Sequence, residues 1–122
     1  MDLDHLVPDK GALLARHEFF RGVSGEIMRK LTAHARLIGY PVGATIFAKG
    51  DPGLGLLAVV SGLVRISVPA KGGREVVLRL VGANEVFGEI ALLDGGPRTA
   101  VATAATQCRL LSLDHRDFVP VL

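Results

Sequence analysis

Two residues of this chain have an evident chemical use together: an acid, Glu89, and an arginine, Arg98, nine positions apart. Gly88 precedes the acid, and the turn sequence Gly95-Gly96-Pro97 precedes the arginine. A guanidinium binds a phosphate through two parallel hydrogen bonds, whereas a carboxylate accepts a hydrogen bond from a hydroxyl. The pair suits a ligand with one phosphate and one nearby hydroxyl. Taken alone, however, the segment is more simply explained by two side chains that pair with each other or lie in solvent.

The residues between the two charges predict a short helix. Glu-Ile-Ala-Leu-Leu favours a helix, and the flanking glycines limit it to little more than one turn. Free N–H groups at such a helix start suit a phosphate, and a glycine lets a ligand approach the backbone closely. After the turn, strand geometry puts Arg98 on one face with Ala100, Ala102 and Ala104. Facing inward, Arg98 would require a counter-charge.

The surrounding elements are predicted to be helices followed by short strands. Residues 1–22 are weakly helical, and VSGEIMRKLTAHA predicts a better helix, with Ser24 as N-cap and Val23 and Met28 at staple positions. Beyond residue 36, short apolar segments end at glycine or proline, which predicts an all-β roll or barrel. The predicted strands are Leu37–Tyr40, Thr45–Ala48, Leu56–Ser61, Leu63–Val68, Glu75–Val81, Thr99–Thr106 and Arg109–Leu113.

Length and composition narrow the function classes. The 122 residues form one domain, and the net charge of +2 is dispersed, with Arg29-Lys30 as the longest basic run. We therefore expect no nucleic acid to be bound by this chain itself. The N-terminus lacks the apolar core of a signal peptide, and the longest apolar stretch, around Leu54–Val60, is too short to span a bilayer. These features predict a soluble, cytoplasmic protein that binds no membrane.

The sequence shows no residue pattern typical of a metal site or of an enzyme active site. The single cysteine, Cys108, cannot form an internal disulfide or a cysteine-ligated cluster, and we expect it in the core. No strand carries the His-x-His spacing of a cupin-like metal site, and no nucleophile-and-base arrangement can be placed. We predict no metal, no cofactor and no enzyme activity. The histidines are expected at the surface: His5, His17, His34 and His115.

The segment FGEIALLDGGPRTA resembles the phosphate-binding cassette of cyclic nucleotide-binding domains, which occur in bacterial Crp/Fnr-type regulators, in cyclic-nucleotide-dependent kinases and in gated channels. Its flanks are similar as well. HEFFRGVSGEIMRKLTAHAR looks like the family's helical lead-in, GATIFAKGDPG like its second strand and Gly-Asp turn, and GGREVVLRLVG like the strand before the cassette. LLAVVSGLVRISV and CRLLSLDHRDFVPVL are similar to the family's Gly-x-Val stretch and to its last strand with the following helix. The resemblance implies a mainly β fold with flanking helices, a jelly-roll-like β-roll.

The resemblance also implies a site for a cyclic nucleotide, with cAMP first and cGMP second. Arg98 matches the arginine that neutralises the cyclic phosphate, and Glu89 matches the acid that accepts from the ribose 2′-OH. Gly88 matches the cassette glycine, and Thr99 a position beside the phosphate. Backbone N–H groups at Ile90 and Ala91 would face the phosphate, and the strand residues near the base would be Val77, Leu78 and Arg79.

The implied organisation is a single domain. Residues 1–36 form the lead-in, 37–113 the β-roll with its cassette at 87–99, and 114–122 the start of a C-terminal helix, capped by Asp114. Two features depart from the family: Asn84-Glu85 stands where the family usually has Gly-Asp or Gly-Glu before the cassette, and the sequence stops at Leu122, with no helix-turn-helix domain present. We expect a sensor domain, either part of a larger Crp/Fnr-type regulator or a complete single-domain protein. As part of a regulator it could form a homodimer and would act on DNA only through a C-terminal domain outside this sequence. The alternative is a fold that has lost its ligand and serves a structural or protein-interaction role.

Overall fold

A computed structural model of the chain describes residues 22–53, 55–88, 97–114 and 116. One α-helix, α1 (Gly25–His34), precedes the strands. The strands are β1 (Arg36–Tyr40), β2 (Thr45–Phe47), β3 (Gly55–Ser61), β4 (Val64–Pro69), β5 (Glu75–Val81), β6 (Val86–Phe87), β7 (Val101–Ala104) and β8 (Cys108–Asp114). A 3-10 turn at Lys71–Gly73 joins β4 to β5.

Two antiparallel four-stranded sheets form a sandwich. The first has the strand order β1-β8-β3-β6, and the second the order β2-β7-β4-β5. Between the sheets lies an apolar core to which both contribute, including Val59 from β3, Val64 from β4 and Ala102 from β7. Strand β3 is buried along most of its length, because its other face is covered by α1. Its unbroken apolar run, GLLAVVS, reflects burial on both faces.

Helix α1 covers the outer face of the first sheet. Ser24 has an extended backbone, and its hydroxyl accepts a hydrogen bond from the Ile27 N–H at 3.2 Å, as expected of an N-cap. Leu31 is fully buried in a second core cluster with residues of β3 and β8. Val23 and Met28, at the staple positions, pack against the same cluster.

The observed strands agree with the predicted ones to within a few residues, with two differences. Strand β6 was not predicted, because two residues are too few to show a period. The strand predicted at Thr99–Thr106 is observed only at Val101–Ala104, because its ladder with β4 runs from the Val101–Ser67 pair to the Ala104–Val64 pair. At the far end, the Ala105 and Thr106 N–H groups donate to the Leu63 carbonyl in a turn.

The turn before β6 tolerates the departure seen in the sequence. Asn84 has φ +71°, in the left-handed region that asparagine adopts more readily than most residues. The neighbouring Glu85 closes this turn, because its carboxylate accepts from the Gly82 N–H at 2.8 Å. The asparagine therefore adopts the left-handed backbone that a glycine at this position would adopt readily.

Candidate ligand-binding site

Arg98 is the buried cation of the described part of the chain. Its exposure is 9%, and it precedes Ala100, Ala102 and Ala104, which are all buried as well. The alternation predicted from the sequence therefore puts Arg98 on the inward face. Burial of a charge is costly unless the group is hydrogen-bonded, so the contacts of the guanidinium decide what it does there.

Backbone carbonyls take part of the hydrogen-bonding capacity of Arg98. Its Nη2 donates to the Gly55 carbonyl at 2.7 Å, and its Nη1 makes a longer bond of 3.4 Å to the Gly88 carbonyl. Gly55 begins β3 and Gly88 directly follows β6, so the side chain joins the ends of two paired strands. The Nε atom is buried and has no hydrogen-bond partner among the described residues. A guanidinium has five N–H donors, so Arg98 retains capacity for an acceptor.

Arg98 lies against an apolar aromatic ring, and a carboxylate is near enough to interact with its charge. The guanidinium carbon lies 4.3 Å from the centroid of the Phe47 ring. Burial lowers the pKa of Arg98 below its ordinary value, and the nearby Asp51 carboxylate acts in the opposite direction. An arginine nevertheless stays protonated at neutral pH. The site thus holds a desolvated positive charge, which favours an anion with good hydrogen-bond acceptors.

Gly88 is required where it stands. Its φ is +83°, and a Cβ at this position would lie 2.6 Å from Arg98 Nη1 and 3.2 Å from the Gly55 carbonyl oxygen. A side chain would therefore need a left-handed backbone and would displace the guanidinium. The close packing of Arg98 against residue 88 therefore requires a glycine there, independently of any need for a ligand to approach the backbone.

The turn at residues 48–52 fixes the backbone of Arg98. The Arg98 N–H donates to the Asp51 carbonyl, and the Gly50 N–H donates to the Arg98 carbonyl, both at 2.8 Å. The Asp51 carboxylate accepts from the Ala48 N–H at 2.8 Å and so closes the turn. Sequence reasoning noted the Gly-Asp turn but did not connect it with Arg98. Nothing in the sequence indicated the roles of Phe47 and Gly55.

The predicted base contacts lie on β5, an edge strand. Val77 and Leu78 are about half exposed, at 49% and 58%. Leu78 has no partner in the register with β4, since Ile66 pairs with Arg79 and Ser67 with Val77, which makes Leu78 the extra residue of a β-bulge. Arg79 contacts the two residues that precede the cassette. Its Nη2 donates to the Val86 carbonyl at 3.2 Å and lies 3.8 Å from the Glu85 carboxylate.

The remaining predicted ligand contacts are only partly described. Thr99 follows Arg98 and is exposed. Glu89, Ile90 and Ala91 lie outside the described residues, as do the predicted short helix, the histidines His5, His17 and His115, and most of the predicted C-terminal helix. The structure therefore brings Arg98 and Gly88 together, whereas the role of Glu89 stays a prediction.

Comparison with known proteins decides the family. The family model described as a cyclic nucleotide-binding domain matches residues 37–122. The chain belongs to the cyclic nucleotide-binding domain family. Its fold is the β-roll of that family: the N-terminal domain of a transcriptional regulator from Streptomyces coelicolor superposes with a TM-score of 0.81 at 39% identity, over 90% of this chain and 79% of that one.

Two curated relatives illustrate the range of the family. A CRP-like cAMP-activated global transcriptional regulator of Mycobacterium tuberculosis is 40% identical over 84% of this chain and 46% of its own length. The acetyltransferase Pat of Mycolicibacterium smegmatis is 34% identical over 79% of this chain and 28% of its own length. This chain therefore spans less than half of either curated relative.

Three further features lie away from the site. Cys108 is fully buried, as expected, and its Sγ lies 3.3 Å from the Leu63 carbonyl oxygen. Across the described ranges, no cluster of three or more metal-ligating side chains is found. Within those same ranges, no helix has the length and apolar character needed to cross a bilayer.

Proposed function

We propose that this chain binds a 3′,5′-cyclic nucleotide, cAMP in preference to cGMP, at Arg98. The observation that carries the proposal is a buried arginine in the cassette of a cyclic nucleotide-binding domain, with spare donors and with an Nε that has no partner in the described part of the chain. A cyclic phosphate would provide the counter-charge and the acceptors that the backbone carbonyls do not fully supply. The name of the M. tuberculosis relative, a cAMP-activated regulator, supports cAMP as the first ligand to test.

The remaining contacts are proposed from the cassette positions. The Glu89 carboxylate would accept from the ribose 2′-OH, and the N–H groups of Ile90 and Ala91 would face the phosphate, beside Gly88 and Thr99. On β5, the bulge at Leu78 gives the strand the irregular course often found next to binding sites. This supports base contacts from Val77, Leu78 and Arg79, of which the first two are half exposed.

A short chain of contacts leads from Arg98 to the end of the β-roll. Arg98 Nη2 donates to Gly55, which pairs with Asp114 at the end of β8. The Asp114 carboxylate lies 3.6 Å from Arg36 Nη2 on β1 and 3.5 Å from Arg116 Nε, just past β8. We propose that a ligand on Arg98 acts through Gly55 on the segment after residue 114, which carries the signal onward. Mutations along this chain of contacts can test whether the ligand site and the segment after residue 114 are energetically coupled.

We further propose that the domain is the sensor of a Crp/Fnr-type transcription regulator. Residues 37–113 would be the ligand-binding roll and 1–36 its lead-in, and DNA would be bound by a separate domain of a homodimeric protein. The similarity to a named transcription regulator supports this assignment. We propose no enzyme activity for the chain, since the part shared with the acetyltransferase covers only 28% of that enzyme.

The test is isothermal titration calorimetry of the chain with cAMP and cGMP, with 5′-AMP as the non-cyclic control. We expect saturable binding of cAMP and a large loss in Arg98→Ala, because a charge-assisted phosphate pair is removed. Arg65→Ala is the matched control: it removes an arginine whose 2.9 Å ion pair with Glu75 lies outside the proposed site. Unchanged affinity in Arg98→Ala would place the binding site elsewhere.

One observation favours the alternative of a fold without a ligand. Arg98 already joins β3 to the end of β6 through two carbonyls, so it has a structural use by itself. The half-exposed apolar side chains of the β5 edge strand would then suit contact with another protein. A chain that binds neither cyclic nucleotide, and in which Arg98→Ala lowers only the free energy of unfolding, would support this alternative.

A further inference from the structure

The face of the Arg98 guanidinium is covered by an aromatic ring from another strand. Phe47 ends β2, and its ring centroid lies 4.3 Å from the Arg98 guanidinium carbon. Phe47 is partly buried and packs against the core between the sheets. Its ring is also 6.1 Å from the Phe87 ring, at an interplanar angle of 40°. The ring is therefore held from two sides, by Phe87 and by the core.

A cation over an aromatic face is attracted to the ring quadrupole, and the attraction grows when water is excluded. Arg98 is nine-tenths buried, so this contact operates in a largely desolvated site. The two carbonyl bonds constrain the guanidinium through its Nη atoms, and the ring constrains it from one face. Together they leave Nε as a buried donor for which the described ranges offer no partner.

We propose that Phe47 is a positioning residue for anion binding by Arg98. The ring fixes the guanidinium so that its Nε–H and remaining donors point at the phosphate before the ligand arrives. This inference rests on the proposed function, and it adds a residue from outside the cassette to the site. Preorganisation of this kind raises affinity by reducing the ordering that binding must otherwise impose.

The inference is tested with ring-removing and ring-retaining variants, using cAMP as the ligand. Phe47→Leu removes the ring and keeps an apolar side chain, and Phe47→Met does so with a longer, adaptable one should the leucine variant fold poorly. Phe47→Tyr retains the ring. Tyr40→Leu is the matched control, because Tyr40 packs against the same core cluster from β1. The measurements are the Kd by calorimetry, the free energy of unfolding, and the Arg98 Nε–H signal in ¹H–¹⁵N spectra.

We expect the Kd for cAMP to rise about two- to thirtyfold in the ring-removing variants. It should stay near the wild-type value in Phe47→Tyr and in Tyr40→Leu, even where Tyr40→Leu loses stability. The Arg98 Nε–H signal of the ligand-free protein should move when the ring is removed and not in Tyr40→Leu.

Two results would overturn the inference. If wild type binds cAMP and the ring-removing variants bind it equally well, Phe47 is a core residue without a role in positioning. If the Phe47 variants and Tyr40→Leu all weaken cAMP binding in proportion to their loss of stability, the weaker binding comes from general destabilisation and is not transmitted through Arg98. A wild-type chain that binds no cAMP would contradict the proposed function itself, and the inference would fail with it.

Discussion

Gly88→Ala is the substitution whose effect follows most directly from the geometry. The change adds one methyl group at a residue with φ +83°, and that methyl would lie 2.6 Å from Arg98 Nη1, well inside van der Waals contact. A left-handed backbone costs a residue with a Cβ about 1–2 kcal/mol. Displacement of the guanidinium would also weaken its 2.7 Å bond to the Gly55 carbonyl, and a hydrogen bond to a charged group contributes about 1.5–3 kcal/mol.

We therefore expect Gly88→Ala to lower the free energy of unfolding by about 2.5–5 kcal/mol. Gly43→Ala isolates the backbone contribution, because Gly43 has φ +85° and no described residue lies within 4 Å of the added methyl group. That control should lose only about 1–2 kcal/mol. Urea denaturation followed by circular dichroism gives both values, since a chain of this size unfolds in one cooperative step.

The same pair of variants separates the backbone effect from the effect on the site. Gly88→Ala should weaken cAMP binding because Arg98 moves, whereas Gly43→Ala should leave the Kd unchanged. Equal losses of stability in the two variants, together with equal affinities, would refute the reasoning, because they would mean that Gly88 serves only its turn and that Arg98 does not depend on it.

Two more predictions follow from the surroundings of Arg98. Gly55→Ala should destabilise the chain severely or prevent folding, because a Cβ would collide with the Leu113 carbonyl of the paired strand β8. Gly39→Ala, where the described residues leave the space within 4 Å open, should be nearly neutral. Soluble yield and urea denaturation compare the two variants, and a stable Gly55→Ala protein would contradict this prediction. Burial lowers the pKa of Arg98 in the folded state, so the folded and unfolded chains differ in bound protons at this residue only at strongly alkaline pH. Below that range Arg98 is charged in both states, and the free-energy cost of burying its charge does not change with pH. The difference in unfolding free energy between wild type and Arg98→Met should therefore be the same at pH 6 and pH 9, and a difference that changes between them would show that another group titrates with the site.

The sequence predicted the fold well where local signals and tertiary packing agree. Ser24 caps its helix, and the glycine- and proline-bounded apolar runs became strands, because each run has one face to bury in the sandwich. The prediction failed where pairing is set by distant residues. Strand β6 exists because Val86 and Phe87 pair with Ala58 and Leu57, and no local pattern of two residues shows this.

The candidate site was predictable for the residues whose chemistry is distinctive. An arginine at the head of a row of alanines signalled an inward-facing charge, and the structure buries it. The residues that hold it were not predictable, since Phe47 and Gly55 come from strands far away in the chain and their types are common in any β-roll core. The contact between Arg98 and Phe47 requires β2 and β7 to be neighbours, which is a property of the sheet order.

The most direct test of the central claim is a crystal structure of this chain with cAMP. The account predicts a phosphate oxygen within hydrogen-bond distance of Arg98 Nε, with the guanidinium still over the Phe47 ring and the 2′-OH at the Glu89 carboxylate. A phosphate bound elsewhere, with Arg98 Nε still without a partner and its carbonyl bonds unchanged, would contradict the account.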